Sequence, residues 1–268
     1  MPAKLLDTVT RRVALVLGTS GSSPQLLSIL QRLLGDDSEI NLQGVFIEDD
    51  ELQQAVALPF SKELCRLTLN VRDIQSARFE RTVTLQTRTA RRAVAGLAQR
   101  MGVPHTFRKV RGSTVSLLRE TAHSANITVF EPLRIFAATP VHNRQRIVVA
   151  IDDLAAGAEV LFAATLLAEG EMHRVSVLLT AAAPAELDAL DHLISELLPS
   201  DPARILLLPG SEIQYLIAAA RAERADMLVL GASEELLKPE SLRSLLEQLR
   251  CPICLVRRWD GSADHKAI

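Results

Sequence analysis

Residues 146–152, Arg-Ile-Val-Val-Ala-Ile-Asp, open the series that decides the fold. Four similar stretches follow: Val175–Thr180 (VSVLLT), Arg204–Gly210 (RILLLPG), Asp226–Ala232 (DMLVLGA) and Cys251–Arg257 (CPICLVR). Their apolar residues run continuously rather than alternating with polar ones, the pattern of strands buried on both faces. Between them lie residues 155–170, 184–198, 211–225 and 239–250, each with apolar residues three and four apart. The order is βαβαβαβαβ, which predicts a parallel sheet covered by helices on both faces and joined by right-handed crossovers. Ligands of such sheets sit beyond the carboxyl ends of the strands, here near Asp152, Gly210 and Gly231.

Working toward the N-terminus, the plan repeats with distortions. Arg12–Gly18 aligns with Arg146–Asp152 at an offset of 134, Gly112–Val115 with Gly210–Ile213 at 98, and Asn126–Val129 with Asp226–Val229 at 100. The shrinking offset places an insertion of about 35 residues between a second strand (Gly44–Asp49) and a third (Phe107–Gly112) of the first half. The expected organisation is two related α/β domains: residues 1–144, diverged and cut short at the end, residues 145–258, and a tail 259–268. A long helix, about residues 72–102, fills the insertion. Phe79, Val83, Ala90, Val94, Leu97 and Met101 form its apolar stripe, broken at Gln86, and Gly102 and Pro104 stop it. From Arg72 to Met101 seven arginines face two acids, a local charge of +5 that Arg108, Lys109 and Arg111 raise to +8. Residues 133–136 (LRIF) either form a short fifth strand or belong to a linker.

Composition narrows the function. Apolar residues make up 48% and charged residues 23%, with a net charge of −2, so no global field points to nucleic acid or an anionic membrane. Seven Phe, one Tyr and one Trp are too few to build base-stacking platforms. The longest apolar run near the N-terminus, Val13–Leu17, is too short for a signal core, and no later run approaches a membrane span. A cytoplasmic location is the expectation, and three Cys make no disulfide framework.

Motifs that could carry chemistry are sparse. Gly18-Thr19-Ser20-Gly21-Ser22-Ser23-Pro24 is a strand-to-helix turn in which Ser22 or Ser23 caps the helix and Pro24 takes its first position. Backbone amides there could hold a phosphate, although the Lys of a P-loop and the third Gly of a dinucleotide fingerprint are missing. Cys251-Pro-Ile-Cys254 has half-site spacing for zinc or redox chemistry. On a strand, however, residues three apart point to opposite faces, so buried structural thiols are expected. The six His are scattered, no G-x-S-x-G elbow occurs, and no nucleophile stands beside a base.

The strand Ala225-Asp-Met-Leu-Val-Leu-Gly231 and the closing Cys251-Pro-Ile-Cys-Leu-Val256, with Ile147–Asp152 and Leu208-Pro-Gly210, resemble the universal stress protein family. The resemblance implies a Rossmann-like, adenine-nucleotide alpha hydrolase-like fold, tandem here. Many members bind ATP through an Asp after the first strand and a Gly-x2-Gly-x9-Gly-Ser/Thr loop after the fourth. Asp152 and Gly231 match. Glu234 replaces the second Gly, Pro239-Glu240 stand for the Gly-Ser pair, and 7 residues separate Gly231 from Pro239 where the motif has 12. In the first half Gly18 replaces the Asp and Glu131 the first Gly. Side chains at those points obstruct the approach of amides to phosphate, and Glu234, Glu235 and Glu240 add repulsion.

The resulting expectation is a non-catalytic regulatory or stress-response protein that does not bind ATP in the family manner and has no cofactor. A nucleotide- or anion-binding sensor, with ATP or another adenine nucleotide as ligand, is the alternative, and a nucleotide hydrolase is a third reading. The ligand-binding candidates are Gly18, Thr19, Ser20, Gly21, Ser22, Gly112, Ser113, Asp152, Gly210, Ser211 and Gly231. For interaction with an acidic protein partner or a polyanion the candidates are Arg88, Arg91 and Arg92. Family resemblance also implies a homo-oligomer, a dimer, through the last strand, whose Ile253, Leu255 and Val256 suit β-augmentation; the strand added to it comes either from another subunit or from the first half. No metal, membrane or nucleic-acid partner is expected.

Overall fold

A computed structural model describes residues 11–18, 24–35, 39–64, 70–73, 76–132, 145–152, 154–180, 184–198 and 200–258. The first half runs β1 (Arg11–Leu17), α1 (Pro24–Leu34), β2 (Ile40–Asp49), α2 (Asp50–Ala57), β3 (Lys62–Leu64), β4 (Val71–Asp73), α3 (Ser76–Met101), β5 (His105–Gly112), α4 (Thr114–Ser124) and β6 (Ile127–Phe130). The second runs β7 (Ile147–Ile151), α5 (Leu154–Ala168), a 3-10 turn (Met172–Arg174), β8 (Val175–Leu179), α6 (Pro184–Leu197), β9 (Arg204–Leu207), α7 (Ile213–Ala222), β10 (Met227–Gly231), α8 (Pro239–Gln248) and β11 (Ile253–Val256).

Nine strands form one mixed sheet in the order β5-β2-β1-β6-β11-β10-β7-β8-β9, flanked by helices on both faces. Every neighbouring pair is parallel except β6 and β11, which run antiparallel with Phe130 opposite Ile253 and Ile127 opposite Val256. Counted from its own first strand, each half therefore has the order 3-2-1-4, and the second half adds a fifth strand at the seam. Side chains alternate between two cores as the period of a strand requires. Val13, Leu15, Val129, Val149 and Cys254 face a layer of α3, α1, α5 and α6, whereas Val16, Val45, Val148, Leu228 and Leu255 face α4, α8 and α7. Along the first layer α3 packs on α1, α1 on α5, and α5 on α6.

Two expectations change. The long helix begins at Ser76 rather than near residue 72, because Val71–Asp73 pair antiparallel with Lys62–Leu64 in a separate two-stranded hairpin. The edge-strand reading of Ile253, Leu255 and Val256 is also corrected: β11 lies inside the sheet between β6 and β10, and all three side chains are buried. Its added strand comes from the first half, so β11 has no free edge for another subunit. Residues 133–136 and the 144/145 boundary lie in or beside residues 133–144, outside the described residues.

The stripe expected on α3 is the one that packs. Val83, Ala90, Val94 and Leu97 are buried with Phe79 and Met101 against the same core. Gly44 in β2 permits this approach, since a Cβ there would stand 2.7 Å from the Phe107 ring and 3.0 Å from Val94 Cγ2. Among the described residues no helix is long and apolar enough to cross a membrane.

Candidate functional site

The strand order reverses at two places, beside β7 and β10 in the second half and beside β1 and β6 in the first. Crossover helices leave these strands in opposite directions, which opens the crevice where such sheets bind ligands.

In the second half Asp152 follows β7 and Gly231 ends β10, as the sequence implies. A Cβ on Gly231 would lie 3.3 Å from Asp152 Oδ1 and 3.4 Å from Ala156 Cβ, so β10 needs the smallest residue beside this carboxylate. Asp152 itself is exposed, yet Ser233 Oγ donates to its Oδ2 at 2.8 Å. The same hydroxyl accepts from Leu236 N at 3.3 Å, and Leu237 N donates to the Ser233 carbonyl at 3.0 Å. Leu236 and Leu237 are buried in the core, Glu234 and Glu235 face solvent, and Pro239 opens α8. The short loop is therefore a closed turn, latched to Asp152 at one end and anchored by two leucines at the other. Glu235 pairs with Lys238, and this hydrogen bond raises the lysine pKa above its ordinary value.

The first-half crevice is lined by Val16, Leu17, Gly18, Thr114, Phe130 and Glu131. Among the described residues its volume is about 40 Å³. That is room for two or three waters at roughly 10–15 Å³ each, far below the several hundred Å³ of a typical cofactor pocket. Gly18 stands at its edge with open space where a Cβ would be. Thr19, Ser20, Gly21 and Ser22 lie outside the described residues.

A carboxylate does stand at a strand end in this half, but on β2. Asp49 Oδ1 accepts from Glu51 N at 2.8 Å and Leu52 N at 3.2 Å, capping α2, while Thr114 Oγ1 donates to Oδ2 in a short hydrogen bond. On either side Glu48 pairs with Lys109 at 3.0 Å and Asp50 with Arg111 at 2.6 Å, and the latter bond raises the guanidinium pKa further. The cluster ties the starts of α2 and α4 together, a structural use of its charges. Sequence reasoning missed it. The one available signal was an Asp at the N-cap position ahead of two acids and a helical run.

Gly112 and Ser113 precede α4, with Gly112 at φ 154° and Ser113 making no side-chain cap bond. The Asp49–Thr114 contact sits at that helix start. Gly210 and Ser211 precede α7, where Glu212 is the N-cap residue and the Tyr215 ring lies 3.5 Å from a Cβ placed on Gly210. These two turns are not brought to one site: β5 is the first strand of the sheet and β9 the last.

Cys251 and Cys254 are free and buried on opposite faces of the sheet. Burial pushes the Cys251 thiol up to about 12 and the Cys254 thiol higher still, which suppresses thiolate chemistry at neutral pH. Among the described residues no three His, Cys, Asp or Glu side chains converge to hold a metal ion.

Arg88, Arg91 and Arg92 are exposed on α3. Arg91 lies over the Phe107 ring at 5.2 Å, so it is held back against β5. Arg88 and Arg92 make no ion pair among the described residues.

No family model and no curated protein matches this chain. Among solved structures the chain is similar to a universal stress protein from Archaeoglobus fulgidus DSM 4304, at 12% identity over 92% of this chain and 97% of that one, with a TM-score of 0.45. A functionally unknown protein from Pseudomonas aeruginosa PAO1 is similar at 11% identity over 93% of each chain, with a TM-score of 0.41.

Proposed function

We propose that this chain is a non-catalytic regulatory or stress-response protein, built as two tandem units of the universal stress type, that does not bind ATP in that family's manner. The motifs at Ala225–Gly231 and Cys251–Val256 support the family reading, and the shared 3-2-1-4 strand order of the halves supports the tandem one. One observation carries the ligand reading: Ser233 holds Asp152 through a turn seven residues long whose leucines are sunk in the core. A triphosphate in this crevice needs a pliable, glycine-rich loop with its amides turned inward. This loop spends its hydroxyl on the carboxylate and carries two glutamates on its outer side. Its action then falls to surfaces rather than to a pocket.

Isothermal titration of the full chain with Mg-ATP tests the reading. The expected result is no saturable binding, and a Kd below about 10 μM, more than roughly 6 kcal/mol of binding free energy, overturns it.

A further inference from the structure

The layer of helices α3, α1, α5 and α6 carries opposite charges at its two ends. On α3, Arg78, Arg81, Leu85, Arg88 and Arg92 follow one another at intervals of three, four, three and four residues, and all five are exposed. At about 100° per residue they fall within a sector of about 80°, diametrically opposite the buried Val83, Ala90, Val94 and Leu97. The stripe therefore points straight off the sheet. None of its four arginines makes an ion pair among the described residues.

At the other end, α6 exposes Asp188, His192 and Glu196 at intervals of four, opposite the buried Leu190 and Ile194, with Asp191 exposed beside them. These acids are likewise without an ion pair among the described residues. Between the two stripes, α5 exposes no charged side chain. The strands beneath α3 and α6 stand at opposite ends of a nine-stranded sheet, about 38 Å apart at roughly 4.8 Å per strand, so the two stripes cannot neutralise each other within one molecule.

We propose that the occupant of this face is a second copy of the chain, related by a two-fold axis parallel to the helices. That operation turns the layer over and exchanges its ends, so α3 of each copy lies on α6 of the other and both contacts form at once. A two-fold axis across the helices would instead set α3 on α3 and α6 on α6, arginines on arginines and acids on acids. Charge thus selects one of the two face-to-face arrangements. The contact is independent of β11, which has no free edge, and of whether ATP binds, so failure of either reading leaves the other standing.

Sedimentation of the full chain decides. A dimer is expected at about 50 mM salt that weakens at about 500 mM, where the screening length shrinks to a few Å. The double substitution Arg88→Glu with Arg92→Glu should weaken dimerisation by at least about tenfold, and Asp188→Arg with Glu196→Arg should do the same. Combining all four swaps the charges and should restore dimerisation to within about threefold of the parent. Circular dichroism of each variant checks that it is folded, and the swapped protein keeps the test decisive if a double variant fails. A parent that stays monomeric at low salt, reversals that leave the dimer unchanged, a swap that does not rescue, or masses growing beyond the dimer each overturn the proposal. So does a monomeric parent that is retained on heparin or duplex DNA, which would make the arginine stripe a polyanion site.

Discussion

The two halves of the sheet solve the same crossover problem with different amounts of chain. Between β8 and β9 the second half uses one helix of 14 residues, α6. Between β2 and β5 the first half uses α2, a hairpin and a helix of 26 residues, α3. Both crossovers deliver the next parallel strand to the outer side of its neighbour, so the additional chain is not required by the topology. What it adds is surface: the arginine stripe of α3, and Phe60, 93% exposed at the end of α2 with φ 67°. The halves differ in the opposite sense at their ends, where the second half continues through α8 into β11 and the first contributes β6 directly to the seam. The shorter half gained its surface in the middle and relies on the longer one for its last strand.

The seam is where the comparison can be broken hardest. Phe130 is the largest seam residue of β6, 2% exposed, opposite Ile253 of β11 and within the core shared with α4 and α8. Phe130→Ala removes an aromatic ring that both halves pack on and should cost about 3–5 kcal/mol. In urea denaturation, one transition shifted to lower denaturant is expected. If the second half keeps its own midpoint while a separate first-half transition appears, the halves are less interdependent than the seam implies.

A subtler contrast concerns how each crossover helix approaches the sheet. Gly44→Ala would place a methyl 2.7 Å from the Phe107 ring and 3.0 Å from Val94, both on elements fixed by the inserted crossover. An overpacking cost of about 1–3 kcal/mol is expected. Gly157→Ala in α5 meets chiefly Leu193 Cδ2 of α6, at 2.8 Å, the far end of a side chain that can rotate. There the gain in helix propensity, roughly 1 kcal/mol, offsets the repacking, and the net change should be near zero. Equal losses at the two sites in thermal unfolding would show that α6 is held as rigidly as α3.

How legible these differences are in the sequence depends on the range of the forces behind them. The second half reads correctly because strands such as Ile147–Ile151 and Val175–Leu179 are buried on both faces, and continuous burial writes a continuous apolar run. The inserted hairpin is illegible for the converse reason. Lys62–Leu64 and Val71–Asp73 are three residues each and pair outside the main sheet, which leaves no periodicity, and Val71–Asp73 reads as the first turn of the helix. The apolar run Ile253–Val256 announces a strand without naming its neighbours, and β6 proves to be one of them. The candidate site divides in the same way. Asp152 and Gly231 are legible from their places at strand ends. The latch from Ser233, 81 residues away, and the joining of Asp49 to Thr114 across 65 residues are tertiary hydrogen bonds that no local pattern encodes.

The smallest contrast lies at the helix C-termini. The first half ends α1 and α3 with Gly35 (φ 50°) and Gly102 (φ 67°), the residue best suited to the left-handed conformation that closes a helix. The second half places Glu169 (φ 52°) and Arg224 (φ 54°) at the equivalent positions after α5 and α7. The hydrogen bonds are those of a regular closure: Ala225 N donates to the Ala220 carbonyl and Arg224 N to that of Arg221. Arg224 therefore sits in a conformation that costs an L-residue about 1–2 kcal/mol. Glycine there would remove that strain while adding freedom to the unfolded chain, worth about 0.4–1 kcal/mol in the other direction. Arg224→Gly should stabilise the protein by roughly 0.5–1 kcal/mol, the balance of these two effects. Gly102→Ala should destabilise it by about 1 kcal/mol, having strain to gain and no glycine to lose it. Glu169→Gly is the weaker case, because its pair with Arg32 at 3.3 Å is lost, although the glutamate is too exposed for that pair to weigh heavily. If Arg224→Gly instead destabilises the protein in chemical denaturation, the Arg224 side chain makes a contribution larger than the strain it carries, and the second half's departure from glycine is selected rather than tolerated.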